Sequence, residues 1–131
     1  MKILGVDYGR AKIGIAVAEG KLADPLKVVK VNSVQDAIEK IVQVVKEEEV
    51  EKVIVGIAEG NIADEQTEFV QELEKHLKVP IETWDETLTT QDAQTLAIEA
   101  GLPQKKRRVL EDAFAASVML QSYLDSAKGS K

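Results

Sequence analysis

Three β-rich runs crowd into the first 31 residues of this 131-residue chain, joined by connections too short to hold a helix. Lys2-Ile-Leu-Gly-Val-Asp-Tyr8 is apolar up to Asp7 and is punctuated by Gly9. Lys12-Ile-Gly-Ile-Ala-Val-Ala18 follows with its β-branched residues and turns at Glu19-Gly20, and Leu26-Lys-Val-Val-Lys-Val31 completes the set. Connections of this length make the three runs antiparallel neighbours, because a parallel pair needs a crossover of roughly a dozen residues or more.

The rhythm then changes. Ser33-x-x-Asp36 resembles a capping box and opens a helix carrying Ile38, Ile41, Val42 and Val45, ending near Glu48. Lys52-Val-Ile-Val-Gly-Ile57 is a short apolar run, as expected of a strand covered on both faces. A second helix carries Phe69, Val70, Leu73 and Leu77, and a strand follows around Pro80 to Trp84. Thr89-x-x-Asp92 caps a third helix that runs through Ala100 and closes at Gly101 and Pro103; a last, Ala- and Leu-rich helix runs from Val109 to about Ser126. The order βββ-α-β-α-β-α-α predicts an α/β fold: a mixed five-stranded sheet, three antiparallel strands and then αβαβ, flanked by helices. The length suits one domain over residues 1–131.

Composition narrows the chemistry. There is no Cys, which removes disulfides, thiolate metal sites and Cys nucleophiles, and the single His, His76, leaves no basis for a His-built zinc site or a His-dependent triad. No apolar run approaches the roughly 20 residues of a spanning helix, and the N-terminus lacks a signal-peptide core. The expectation is a reduced, cytoplasmic protein, away from the membrane, whose chemistry rests on carboxylates. The net charge of −6 hides a partition: residues 1–31 carry +3, residues 32–100 carry −12, and residues 101–131 carry +3 again. A basic surface assembled from both ends of the chain is compatible with that distribution.

Three places hold carboxylates of interest. Asp7 ends an apolar strand, where a buried charge is costly unless it caps the Gly9 turn or binds a metal; both readings stay open. Asp85 and Glu86 end the Ile81 strand just before the Thr89 cap, and either suits a helix-dipole partner or a ligand at a strand's C-terminal edge. Asp112, inside the last helix, heads a stripe of Ala115, Ala116 and Met119, unlike a solvated face; Glu111 beside it is not separated by pattern. Carboxylates converging from two strand ends and one helix repel one another and require cations. An all-oxygen donor set selects Mg²⁺ or Mn²⁺, whose natural chemistry is two-metal phosphodiester hydrolysis.

Lys105-Lys106-Arg107-Arg108, read as a loop just before the Asp112 helix, places four cations on the unfavourable side of a helix dipole and suggests phosphate contacts. Arg10 and Lys12 in the first hairpin extend such a surface, and Thr89 and Thr90 offer hydroxyls and amides to a phosphate when not engaged in capping. Trp84 suits core better than base stacking, and Tyr8 suits either.

These residues resemble a known family. Val6-Asp-Tyr-Gly9 with Lys12-Ile-Gly-Ile-Ala-Val17, Trp84-Asp-Glu86 with Leu88-Thr-Thr90, and Lys105-Lys-Arg-Arg108 leading to Asp112, Ala115-Ala116 and Leu120-Gln-Ser-Tyr-Leu124 resemble the YqgF (RuvX) family in order and spacing. The resemblance implies a ribonuclease H-like fold related to RuvC-type Holliday junction resolvases, and a nuclease maturing the 5′ end of pre-16S ribosomal RNA. It implies an acidic triad of Asp7, Glu86 and Asp112, catalytic and metal-binding, which singles out Glu86 over Asp85 and Asp112 over Glu111. Two departures bear on substrate preference: Gly56-Ile-Ala-Glu-Gly60 has Ala58 where the family has Pro, and Asp85-Glu86-Thr87 has Thr87 where it has Arg. The expectation is a Mg²⁺- or Mn²⁺-dependent endonuclease acting on nucleic acid, structured RNA or branched DNA. The alternatives are a junction resolvase, which as a symmetric cutter should be a homodimer, and a non-catalytic nucleic-acid or ribosome-assembly module. Asp7-x-Gly9 with Gly14 also resembles the phosphate hairpin of actin-like ATPases and sugar kinases, whose two large domains 131 residues cannot supply.

Overall fold

Residues 1–9, 11–57, 62–85 and 104–129 are described by the computed structural model of the chain. Strands β1 (Lys2–Tyr8), β2 (Lys12–Glu19) and β3 (Ala23–Lys30) form the antiparallel set that their short connections require. Helix α1 (Val34–Glu48) then crosses to β4 (Lys52–Ile57), which pairs parallel with β1, and α2 (Ile62–Glu74) crosses to β5 (Ile81–Asp85), which pairs parallel with β4. The sheet order is β3-β2-β1-β4-β5, and the last helix, α3, spans Gln104–Gly129.

Strand alternation divides the core between two faces. Leu4, Val6, Tyr8, Ile13, Ile15, Val53 and Val55 project to one side and pack against α1 and α2 through Ile38, Ile41, Phe69 and Leu73. Ile3, Ala16, Ala18 and Ile54 project to the other, where α3 covers them with Ala116, Met119 and Leu120. The α3 face is built from smaller residues, so the helix sits close: a Cβ added at Gly5 would lie 3.0 Å from the Leu120 Cβ and 3.3 Å from the Ala116 carbonyl oxygen.

The capping box at Ser33 forms with a variation. Ser33 Oγ accepts from the Asp36 amide at 3.1 Å, but the Asp36 carboxylate accepts from the Asn32 amide rather than from that of Ser33. Two boundaries differ from expectation. β3 starts at Ala23 and takes in Pro25, which an outer strand tolerates because one of its edges pairs with no other strand of the sheet. Ile15 pairs Lys27 while Ala16 pairs Pro25, so Leu26 is bulged out. α3 starts at Gln104 instead of Val109, so Lys105, Lys106, Arg107 and Arg108 belong to its opening turns and not to a preceding loop. Gln, Lys and Arg are strong helix formers, and a solvent-screened dipole penalty does not outweigh that. The expected helix from Thr89 to Ala100 lies outside the described residues. Among the described residues, no helix is long and apolar enough to cross a membrane.

Candidate active site

Asp7 sits near the end of β1, where its Cα lies opposite Gly14 of β2 and Gly56 of β4. It shares the parity of Ile3 and Gly5, so it faces α3 at the end of the sheet where the parallel strands finish. Asp112 approaches the same place from the helix. A Cβ at Gly14 would overlap the Asp112 carbonyl, so the backbone of α3 rests directly on the residue that faces Asp7 across the ladder. Ala113 and Ala116, both fully buried, allow that approach. The structure thus brings Asp7 and Asp112, 105 positions apart in sequence, to one end of one sheet face.

Lys12, at the start of β2, places its Nζ 3.5 Å from Asp112 Oδ2, with both side chains substantially exposed. This basic residue therefore lies beside a carboxylate of the candidate site. Asp85 behaves differently. It pairs with Ile57, which packs on the α1–α2 side, so Asp85 projects to the face opposite Asp7. Glu86, Arg10, Thr89 and Thr90 lie outside the described residues, as do Ala58 and Thr87. Of Lys105 to Arg108 only the helical backbone is described; it lies upstream of Asp112 along α3, which carries no acidic residue in its first turn.

The C-terminal half of α3 is fastened on both flanks. Gln121 Oε1 accepts from the Ala23 amide at 2.9 Å and its Nε2 donates to the Lys21 carbonyl at 3.0 Å, gripping the β2–β3 turn. On the other flank Trp84 Nε1 donates to Ser122 Oγ at 3.3 Å, and the Trp84 and Tyr123 rings meet edge to face at 5.5 Å. Lys52 Nζ donates to the Tyr123 hydroxyl at 2.6 Å and lies 3.0 Å from Glu82 Oε2. The Tyr123 hydroxyl, then Lys52, hold the Glu82 carboxyl below its ordinary range, and the Tyr123 contact holds the Lys52 ammonium above its own. Half-buried Trp84 is thus a packing residue between β5 and α3.

Asp7 and Asp112 are hard oxygen donors, and the whole chain has no Cys and one His, so the donor chemistry fits a divalent cation of the Mg²⁺ or Mn²⁺ class. Among the described residues no group of three acidic, His or Cys side chains converges, and Glu86 lies outside them. Two buried positions take packing roles that the motifs above do not assign to them. Gly14 was visible as a glycine inside a β-branched run, a sign of close backbone approach. Gln66 was visible as a polar residue at helical spacing from Phe69, Val70 and Leu73 on a buried stripe.

Comparison with known proteins gives a consistent answer. The family described as "RuvX: Holliday junction resolvase" matches residues 1–126. A curated protein of Syntrophus aciditrophicus (strain SB), named "Putative pre-16S rRNA nuclease", is 37% identical over 139 aligned positions that cover 100% of this chain and 93% of that protein. Among solved structures, Thermus thermophilus RuvC in complex with Holliday junction substrate superposes with a TM-score of 0.65 at 18% identity, covering 98% of this chain and 96% of that one. The fowlpox virus resolvase with its substrate Holliday junction DNA gives 0.68 at 13% identity, covering 97% and 99%. At those identities the superpositions establish the fold, which is that of the ribonuclease H-like resolvases. With a matching family over nearly its full length and a relative above one-third identity, this chain belongs to the RuvX family.

Proposed function

We propose that the chain is a divalent-metal-dependent endonuclease that hydrolyses phosphodiester bonds, with Asp7, Glu86 and Asp112 as the metal-binding carboxylates and precursor 16S ribosomal RNA as substrate. The observation that carries this reading is the seating of the Asp112 backbone on Gly14, the cross-strand partner of Asp7. It brings two carboxylates from opposite ends of the chain to one end of one sheet face, although placing them together is electrostatically unfavourable without a cation. The names of the curated relatives support the RNA substrate.

A divalent cation, once bound, would supply a lower pKa for the attacking water and stabilisation of the leaving 3′ oxygen. The chain's residues do the rest. Asp7 and Asp112 orient from a strand end and a helix, two rigid elements that keep their relative position through α3's close packing. Lys12 offers a cation next to Asp112 for a substrate phosphate. The basic opening turns of α3 attract the nucleic-acid backbone. The chain would work in the cytoplasm.

A second reading, resolution of branched DNA, is favoured by the superposition on two resolvases whose structures contain Holliday junctions. It also requires a two-fold dimer, since paired strands must be cut symmetrically. One experiment separates the readings. Purified protein is incubated with Mg²⁺, Mn²⁺ or EDTA on a labelled precursor 16S RNA 5′ segment and on a four-way DNA junction, with Asp7→Asn as control. The expected outcome is metal-dependent cutting of the RNA that Asp7→Asn abolishes. Cutting of the junction alone transfers the substrate to DNA. Wild-type cutting by Asp7→Asn removes the triad assignment, and binding without cutting in any metal identifies a non-catalytic module.

A further inference from the structure

Gln66 and Ser117 are the buried polar side chains among the described residues, each 1% exposed. Ser117 answers to its own helix, its Oγ donating to the Phe114 carbonyl at 2.8 Å. Gln66 instead reaches out of α2: its Nε2 donates to the Tyr8 carbonyl on β1 at 3.2 Å, across 58 positions of sequence. An amide placed among Phe69, Val70 and Leu73 loses its hydration, and only a well-directed hydrogen bond offsets that.

The bond falls at a specific place. The β1–β4 ladder ends with Asp7 opposite Gly56, so Tyr8 is the first β1 residue beyond the support of β4. At that point α2 takes over by two routes. Gln66 holds the Tyr8 carbonyl, and Phe69, three residues further along α2, stacks on the Tyr8 ring with centroids 4.5 Å apart at 25°. Both backbone and side chain of the residue after Asp7 are thereby tied to one helical turn. The Tyr8 side chain faces α2 while Asp7 faces α3, so fixing Tyr8 fixes the direction in which the Asp7 carboxylate leaves the strand.

We infer that Gln66 is a positioning residue for Asp7, its amide setting the peptide that follows the carboxylate and so the aim of that carboxylate toward a divalent cation. The inference rests on the reading of Asp7 as a metal ligand given above. Partners behind a metal ligand typically change metal affinity or turnover by about 10–100-fold when removed.

The test compares Gln66→Met, which keeps length and loses the donor, with Leu73→Val, a core change on the same face of α2 that keeps the amide, and with Asp7→Asn. Three quantities are measured: the Tyr8 carbonyl ¹³C shift in metal-free protein, the half-saturation point in a direct Mn²⁺ titration, and kcat and KM on the precursor RNA segment. Gln66→Met is expected to move the Tyr8 carbonyl resonance, raise the Mn²⁺ half-saturation at least about fivefold and lower kcat at least about tenfold, with KM within about twofold. Leu73→Val is expected to lower the melting temperature without any of these changes. If Gln66→Met does not fold, Gln66→Leu, which also lacks a donor, is read by the same criteria. An Mn²⁺ half-saturation within twofold of wild type in the Gln66 variant, or an equal shift in Leu73→Val, overturns the positioning role. Unchanged Mn²⁺ binding by Asp7→Asn instead overturns the metal site itself, a distinguishable failure.

Discussion

A methyl group at position 14 would occupy the space filled by the carbonyl of Asp112, and neither neighbour has a flexible end that can yield. Gly14 lies mid-strand, so its requirement is closeness of approach and not an unusual backbone angle. Gly14→Ala must therefore push α3 away from β2 or bend the strand, at an overpacking cost of about 1–3 kcal/mol. The same displacement moves Asp112 away from Asp7. The expected outcome is a protein that folds with a reduced unfolding midpoint in urea and has lost most metal-dependent cleavage. The loss of activity should exceed what the unfolded fraction accounts for. Activity falling only in proportion to that fraction would show that the spacing between α3 and the sheet does not govern the site. Gly5→Ala is the milder comparison, because its Cβ would meet Leu120 Cβ at 3.0 Å, Leu120 Cδ2 at 3.2 Å and the Ala116 carbonyl oxygen at 3.3 Å, tight contacts where Gly14 has an outright overlap.

α3 carries Asp112 of the proposed site, and its position is set by contacts far downstream of that residue. Gln121 ties it to the β2–β3 turn, while Ser122 and Tyr123 tie it to β4 and β5. The Lys52–Tyr123–Glu82 group gives this attachment a pH signature. Glu82 has its folded pKa depressed, first by the Tyr123 hydroxyl, so its contribution is present above the ordinary carboxylate pKa and is lost as pH falls through the depressed value. Lys52 has its folded pKa raised, first by Tyr123, so its contribution is present below the ordinary lysine pKa and is lost as pH rises through the raised value. Glu82 is about half exposed, and screening keeps the effect small. Tyr123→Phe should cost about 0.5–1.5 kcal/mol at neutral pH, and the gap to wild type should narrow both in acid and in strong alkali. A gap constant from acid to alkali would mean that the hydroxyl contributes packing alone. The order of elements and the antiparallel β1–β3 set follow from features the sequence displays: short β connections, a capping box at Ser33 and an apolar β4. The fastening of α3 is not displayed, because Lys52 and Tyr123 are separated by 71 positions and Gln121 and Ala23 by 98. Such pairs carry no local periodicity. The opening of α3 was obscured for another reason: a run of four cations looks like a loop when dipole preference is weighed above helix propensity.

For the whole molecule, folding turns a charge partition along the chain into one across the sheet. The acidic middle, residues 32–100 at −12, supplies α1 and α2, which cover one face. The two basic ends supply β1 to β3, which form the sheet, and α3, which covers the other face, while Lys2 of β1 pairs with Glu48 on the α1 side. That difference would favour approach of a polyanion from the α3 side, where Asp7 and Asp112 lie, despite a net charge of −6. The cations at Lys105, Lys106, Arg107 and Arg108 also work against the dipole of the helix that holds them, so they are kept at some cost to helix stability. Replacing all four with Ala should leave the melting temperature unchanged or raise it, while nucleic-acid binding weakens. Each lost phosphate contact flattens the dependence of log K on log salt by about 0.7–0.9, so four contacts predict a slope shallower by about 3. Glu47→Gln with Glu48→Gln, which removes two charges from the acidic helix α1, should leave that slope unchanged. Binding isotherms at several salt concentrations check both at once. An unaltered slope in the four-Ala variant would place the substrate away from the start of α3, and a change caused by the α1 variant would mean that net charge, not its division between the faces, steers the nucleic acid.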